Sequence, residues 1–506
     1  MTRTVETIRT RERGTAPAIM KLLATLAAAL MTTGVMAGQY STTAHGKQST
    51  GVQRLAGIPR GNCDQCHSAH GSDGQYYDFA LFEGNFGAAK NQLCYTSGCH
   101  DSASPKGVYH GPTVYATSAH NTDPNAFWPG PSPDGRAPAD SGNCANCHDP
   151  HGLGDNAGLI PALAVAREET LCLTCHDSNG PSMKDIARQL SKTYTHRIAD
   201  GVMSGRHAPG EDIITTNYSG MKRHVECVDC HNPHKLPSSV THTPGTNTAS
   251  DVLKGVSRVE AQYGASAWMP PAFSPRAANY VTDTRFEYEV CFKCHSSWAY
   301  GSAPPTAPSG GLETDQSVEF NPNNLSYHPV VAEIKNNSYT SPTATNGNIE
   351  TMESPWDNGR HDTMYCADCH RSEVDNETKG PHGSYNAYML RAATGATDNT
   401  FCLKCHKASV YAPSTDPGST ETGSRFDRQT TGNEEANHYF HVIGQQARCR
   451  DCHAGAESGT GFVRPGSAHG SNRAYGFVNG AKIRTFTPGL CTPTCHDHED
   501  YTAGPE

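Results

Sequence analysis

The sequence predicts a fold that is mostly coil with short helices, built from five copies of one repeated unit and lacking an apolar core of its own. Three observations carry this expectation. Only 35% of the 506 residues are hydrophobic, while Gly (49) and Pro (33) are abundant. Such a composition buries too little apolar surface to organise a large domain. Stretches of clear periodicity are few, the best helical one running from Met183 to Lys192. The 20 cysteines recur at near-regular intervals, as they do in repeat architectures.

The N-terminus comes first. Arg9, Arg11, Arg13 and Lys21 precede an apolar run from Leu22 to Met31, and Val35-Met36-Ala37 supplies a small-residue cleavage pattern before Gly38. Residues 1–37 read as a secretory signal peptide, with Met20 as an alternative start. The run is too short for a stable membrane span, which needs about 20 apolar residues; a retained anchor is the competing reading. Export is expected, to the extracellular side or outer surface, with the periplasm as the alternative. The chain carries 40 Lys+Arg against 50 Asp+Glu. Loss of the signal removes five basic and two acidic residues, leaving a net charge of about −13. No basic stripe exists to neutralise phosphates, so nucleic acid is not an expected partner.

Every cysteine falls in one of ten pairs, and each second cysteine is followed at once by histidine. Eight pairs have two intervening residues: Cys63-Cys66-His67, Cys144-Cys147-His148, Cys172-Cys175-His176, Cys227-Cys230-His231, Cys291-Cys294-His295, Cys366-Cys369-His370, Cys402-Cys405-His406 and Cys449-Cys452-His453. Two are stretched: Cys94-Cys99-His100 has four intervening residues and Cys491-Cys495-His496 has three. This is the attachment signature of c-type haem. Two thiols add to the vinyl groups of one porphyrin, and the adjacent histidine lies beneath the iron. Ten covalently attached haems c are therefore expected. Zinc would call for a second cysteine or histidine pair at a distance, and a thioredoxin-like site for a βαβ context. For the stretched pair, a Cys94 to Cys99 disulfide is the alternative.

First cysteines of alternate motifs, at 63, 144, 227, 366 and 449, lie 81, 83, 139 and 83 residues apart. The expected organisation is a signal (1–37) followed by five two-haem units, 38–109, 110–195, 196–327, 328–437 and 438–506. The third unit contains an insertion between Cys227 and Cys291, expected as a surface loop or a partner-facing lobe. An apolar residue announces each second motif: Leu93, Leu171, Val290, Phe401 and Leu490. A further histidine follows each first motif: His70 and His469 in Ala-His-Gly-Ser, His151 and His382 in Pro-His-Gly, and His234 in Asn-Pro-His.

These units resemble the doubled C-x-x-C-H family, as in Cys144-Ala-Asn-Cys147-His148-Asp-Pro-His151-Gly followed by Leu171-Cys172-Leu-Thr-Cys175-His176. The resemblance covers nearly the whole mature chain. It is similar to periplasmic and outer-surface multihaem cytochromes of metal-respiring microbes, some of which polymerise into haem-lined filaments.

Of 27 histidines, ten belong to motifs, so 17 remain for up to ten distal positions. Bis-histidine ligation and low potentials are expected. Besides the downstream set, an upstream set recurs (His110, His196, His328, His441), and a third lies close ahead of first motifs (His120, His224, His361). The latter two compete for the same positions. His207, His242, His438 and His498 read as ordinary surface histidines. His45 lies in a stretch from Tyr40 to Gly51 expected to be too polar to pack firmly. It is read as a ligand for its own chain or for the next molecule of a head-to-tail filament, with a frayed tail as the alternative.

The expected function is electron transfer, not catalysis, with redox proteins or extracellular acceptors as partners. A multihaem reductase of small oxyanions is the enzymatic alternative, but it needs an open iron, and no C-x-x-C-K occurs. A periplasmic wire threaded through an outer-membrane barrel is the third reading.

Overall fold

A computed structural model describes residues 40–70, 76–81, 91–101, 112–130, 140–198, 225–334, 351–416, 438–453, 469–471, 483–493 and 499–500, apart from 97, 156–157, 183, 197, 238, 240–241, 278–284, 302–314, 358–361, 394–397 and 488–489. The signal segment, His110, His224, His361, Cys495 and His496 lie outside the described residues. For His70 and Cys491 the described part is a backbone strand.

The chain is mostly coil with short helices and small sheets. Among the described residues no helix exceeds six residues, the length of Glu168–Leu173, and none is long and apolar enough to cross a membrane. Within the stretch of helical periodicity, Ile186–Leu190 is helical, its N-terminus capped by Asp185, whose carboxylate accepts the Arg188 N–H at 2.9 Å.

Two compact units are present. One holds the described parts of 1–82 and 147–167. It contains an antiparallel hairpin, His67–His70 with Tyr76–Leu81, and the short ladder Gly154–Asp155 with Gly158–Leu159. Gln65, fully buried between the first two cysteines, is bonded at both ends of its amide. Its oxygen accepts from the N–H groups of Arg54 and Leu55, and its nitrogen donates to the carbonyls of Ile58 and Pro59. The polar stretch expected to stay loose is instead packed here. Thr43 is fully buried, and its hydroxyl donates to the Tyr40 carbonyl while accepting the Gly46 N–H. Satisfied hydrogen bonds compensate for the missing apolar side chains.

The other unit holds the described parts of 83–130, 138–146 and 168–506. The insertion of the third repeat departs from expectation. It folds into a five-residue antiparallel hairpin, Arg258–Gln262 with Ala272–Arg276, rather than a loop. Its Val259 enters a cluster with Tyr288, Phe292, Phe320, Val330, Trp356 and Met364. This is a protein-only core, and composition averaged over the whole chain conceals it. Under it Arg258, 2% exposed, meets the carboxylates of Glu289 at 3.2 Å and Glu260 at 3.5 Å, the pairing a buried guanidinium requires.

Candidate haem sites and their histidine pairs

Six attachment motifs start a single helical turn at their first cysteine, at Cys63, Cys144, Cys227, Cys366, Cys402 and Cys449, whereas Cys172 and Cys291 lie at the C-terminal end of the helices Glu168–Leu173 and Glu287–Cys291. The histidine N–H donates to the first cysteine's carbonyl in the motifs at Cys172, Cys227, Cys291, Cys366, Cys402 and Cys449, at 2.8–3.0 Å. This turn places both sulfurs and the ring on one side. In three motifs an Asp precedes the second cysteine. Asp229, Asp368 and Asp451 accept the N–H of Glu226, Tyr365 and Arg448 at 2.9, 2.9 and 3.1 Å, capping the turn. The stretched motif keeps the same closure, since His100 N–H still donates to the Cys94 carbonyl at 3.0 Å. Cys94 is not in a disulfide.

The motif histidines face other histidines. Ring centroids are 5.9 Å apart for His67 and His151, 6.2 Å for His176 and His120, and 6.2 Å for His295 and His196. They are 6.1 Å apart for His231 and His382, 6.4 Å for His406 and His328, 5.9 Å for His370 and His469, and 6.3 Å for His453 and His438. A metal–imidazole nitrogen bond is about 2.0 Å and that nitrogen lies roughly 1.1 Å from its ring centre, so two imidazoles on one iron sit about 6.2 Å apart. Seven pairs among the described residues fall within 0.3 Å of that spacing. Direct packing of rings would allow much closer approach, as in the 4.3 Å between His242 and Tyr365. The residues therefore fit one iron between each pair.

The pairing obeys a rule of the repeats. A first-motif histidine faces the downstream histidine of the following unit: His67 with His151, His231 with His382, His370 with His469. A second-motif histidine faces a histidine that precedes it in its own unit: His176 with His120 of the third set, and His295 with His196 and His406 with His328 of the upstream set. Of the two competing sets, His196 and His328 from the upstream set and His120 from the third stand opposite motif histidines, while His110, His224 and His361 lie outside the described residues.

A brace presents these distal rings. Upstream His45 and His120 each donate from Nδ1 to the proline carbonyl just before a downstream histidine, Pro150 at 3.1 Å and Pro233 at 2.9 Å, and His196 makes the same bond to Pro381. In two braces the backbones also pair, Tyr194–Thr195 with Gly383–Ser384 and Ser326–Tyr327 with Gly470–Ser471. The glycine after the histidine is dictated by this approach. A Cβ on Gly383 would stand 2.0 Å from the Gln189 carbonyl oxygen, and one on Gly470 would stand 2.0 Å from that of Glu319. Gly152, at φ +82°, would meet the Thr43 methyl at 2.6 Å. The repeated His-Gly text is thus a packing requirement.

Motif rings are held likewise at Nδ1. His148, His231 and His370 donate to the carbonyls of Ala162, Val252 and Tyr388 at 3.0, 3.0 and 2.7 Å. Ala162 and Tyr388 occupy the left-handed region at φ 55° and 60°, each followed by a second such residue, Leu163 and Met389. The strain recurs at matching places in two units, where it turns a carbonyl toward the ring. With Nδ1 occupied as donor, Nε2 is the nitrogen left for a metal. Burial lowers the pKa of His231, His196 and His148, and brings His370 and His406 to about 4 and His382 and His438 to about 3. Neutral imidazole is the ligand form.

Of the remaining expected ligands, His234 lies in the brace with His120, its ring 6.0 Å from that of Tyr115. His441 lies on the π-helical turn Tyr439–Gly444 with its ring against Phe440. The reading of His438 as a bystander is overturned by its stacking on His453. His438 lacks the local text of either recurring set, and its burial follows from the turn it starts. His242, read as a surface histidine, is instead packed, its ring 4.3 Å from that of Tyr365 and its Nε2 3.7 Å from Asp368.

Residues 56–105, 137–181 and 359–410 match the model of the doubled CXXCH motif family. They span the first, second and fourth repeats. No curated protein and no solved structure matches the chain. Three segments of the chain thus carry the doubled CXXCH motif, consistent with a multihaem c-type cytochrome involved in electron transfer.

Proposed function

We propose that the chain is a decahaem c-type cytochrome that conducts electrons through bis-histidine haems, in extracellular electron transfer. The observation that carries this reading is the uniform histidine spacing opposite seven attachment motifs. A reductase needs an iron that substrate can reach, whereas at seven motifs a second histidine stands opposite the motif histidine, and His120, His231, His370 and His469 are held at Nδ1. Haem supplies reversible one-electron chemistry when bound; the chain's part is to fix each ring, exclude water and keep the imidazoles neutral. The retained closure at Cys94 supports counting the stretched motifs as attachment sites. Five two-haem units with the boundaries given above, export through residues 1–37, and redox proteins or extracellular acceptors as partners belong to the same proposal. His45 sits in a brace like those of His120 and His196, which favours a role within its own chain over donation to a filament neighbour; a head-to-tail filament would then form through other contacts. Intact mass of the exported protein tests the haem number, with ten expected. Spectra of the oxidised protein test the ligation, and a high-spin fraction in intact protein would reinstate the reductase.

A further inference from the structure

We propose that Asn91, Glu168, Glu287 and Asn399 are positioning residues that clamp the second haem site of one repeat to the first haem site of the next. The proposal rests on the haem-binding reading above. Asn91 stands three residues before Cys94. Its side-chain oxygen accepts the Cys144 N–H at 2.8 Å and its nitrogen donates to the Gly142 carbonyl at 2.9 Å. Asn399 stands three residues before Cys402 and repeats both bonds, accepting from Cys449 N–H at 2.9 Å and donating to the Ala447 carbonyl at 3.1 Å. At the two middle junctions a glutamate four residues ahead of the second motif does the same work. Glu168, before Cys172, accepts the Val228 N–H at 2.6 Å, and Glu287, before Cys291, accepts the Ala367 N–H at 3.3 Å.

An ordinary helix cap comes from the turn's own segment. These come from 50 to 80 residues away in sequence, and all four repeat junctions have one. At each junction the two first-cysteine sulfurs touch: Cys94 with Cys144, Cys172 with Cys227, Cys291 with Cys366, and Cys402 with Cys449. These thiols stand in for thioether sulfurs, which carry no hydrogen, so their contact marks proximity of two porphyrin attachment points and not a bond of the loaded protein.

Clamps and braces alternate. The brace of His196 and His382 serves the irons of His295 and His231, and that of His328 and His469 serves those of His406 and His370. The clamps join Cys172 to Cys227, Cys291 to Cys366 and Cys402 to Cys449. Six consecutive sites, from Cys172 to His453, thereby follow one another in sequence order along a single path. Each clamp fixes one step of it.

The test uses the fully loaded protein. Asn399→Ala should leave ten haems by mass and a low-spin spectrum, yet remove roughly a quarter of the Soret circular-dichroism couplet that arises from coupled haem pairs. Asn91→Ala with Asn399→Ala should remove roughly half, the sites being distant and independent. Asn399→Asp keeps the acceptor for Cys449 N–H and should retain the signal. Asn321→Ala, which removes a buried asparagine bonded to the Ser266 and Met269 carbonyls, should leave the signal unchanged. If Asn399→Ala loses haem, Glu287→Ala against Glu287→Gln makes the same comparison. A wild-type protein with ten haems and no couplet, or a double variant with the wild-type couplet, overturns the clamp. A wild-type mass short of ten haems overturns the functional reading instead.

Discussion

Replacing His438 by alanine isolates the ligand that sequence reading missed. Its ring centroid stands 6.3 Å from that of His453, with the planes 18° apart, which leaves about 4 Å between facing nitrogens, or two metal–nitrogen bonds of about 2.0 Å. Alanine removes one of those bonds and nothing from the attachment cysteines, so mass should stay unchanged. One iron in ten then becomes five-coordinate or takes water, and roughly a tenth of the haem absorbance should turn high-spin. After reduction, the variant should bind roughly one carbon monoxide per chain where the parent binds none. His441→Ala serves as the comparison, since His441 lies on the same turn with its ring against Phe440. Should His438→Ala keep a fully low-spin spectrum and bind no carbon monoxide, the spacing argument fails for this pair and, by extension, for the other six.

His151→Ala should open the iron attached at Cys63 and Cys66, not the one nearest in sequence. In a chain lacking those two cysteines, the same substitution should add no high-spin signal. Gly383→Ala should displace both histidines of one brace, because its methyl would stand 2.0 Å from the Gln189 oxygen; up to two irons turning high-spin in magnetic spectra, with a lowered Tm, is the expected result. Glu377 gives a pH dependence. Burial alone would raise its pKa, but hydrogen bonds from Lys192, Ser372 and Gln189 outweigh that and bring it to about 2. Its folded pKa lies below the unfolded value, so its stabilisation is complete above about pH 4.5 and is lost as pH falls toward 2. The loss should be on the order of 1 kcal/mol after allowance for screening at the surface. Denaturant midpoints across that range should show a slope that Glu377→Gln removes.

The attachment motifs and their recurrence were legible in the sequence because attachment chemistry fixes residue type and spacing within five or so positions. The distal ligands were legible as a set and not as pairs. His67 and His151 are 84 residues apart, and nothing local distinguishes that partner from His70. Glycine after the downstream histidine was visible as repeated text, but its cause, a neighbouring carbonyl where a Cβ would lie, exists only in the folded chain. His438 and the clamps left no signal at all: an asparagine three residues before a motif is unremarkable until its partner strand is known. The hairpin at 258–276 was hidden by its small size, its apolar residues being diluted in a polar chain.

The exchange of ligands between units changes what the repeat means physically. In a solenoid each repeat completes itself against its neighbours through apolar faces. With irons bound, those of His67, His231 and His370 would each be completed by a histidine from the next unit, so these three units could not saturate both of their irons alone. Apolar cores are correspondingly small, and coordination takes their place as the bond between repeats, coupling folding to metal as in small metal-dependent domains. His453 departs from this rule, facing His438, which lies upstream in the same unit. A chain ending before His469 would leave the iron of His370 open, although every residue of its own motif remained. Loss of one repeat would therefore damage the one before it.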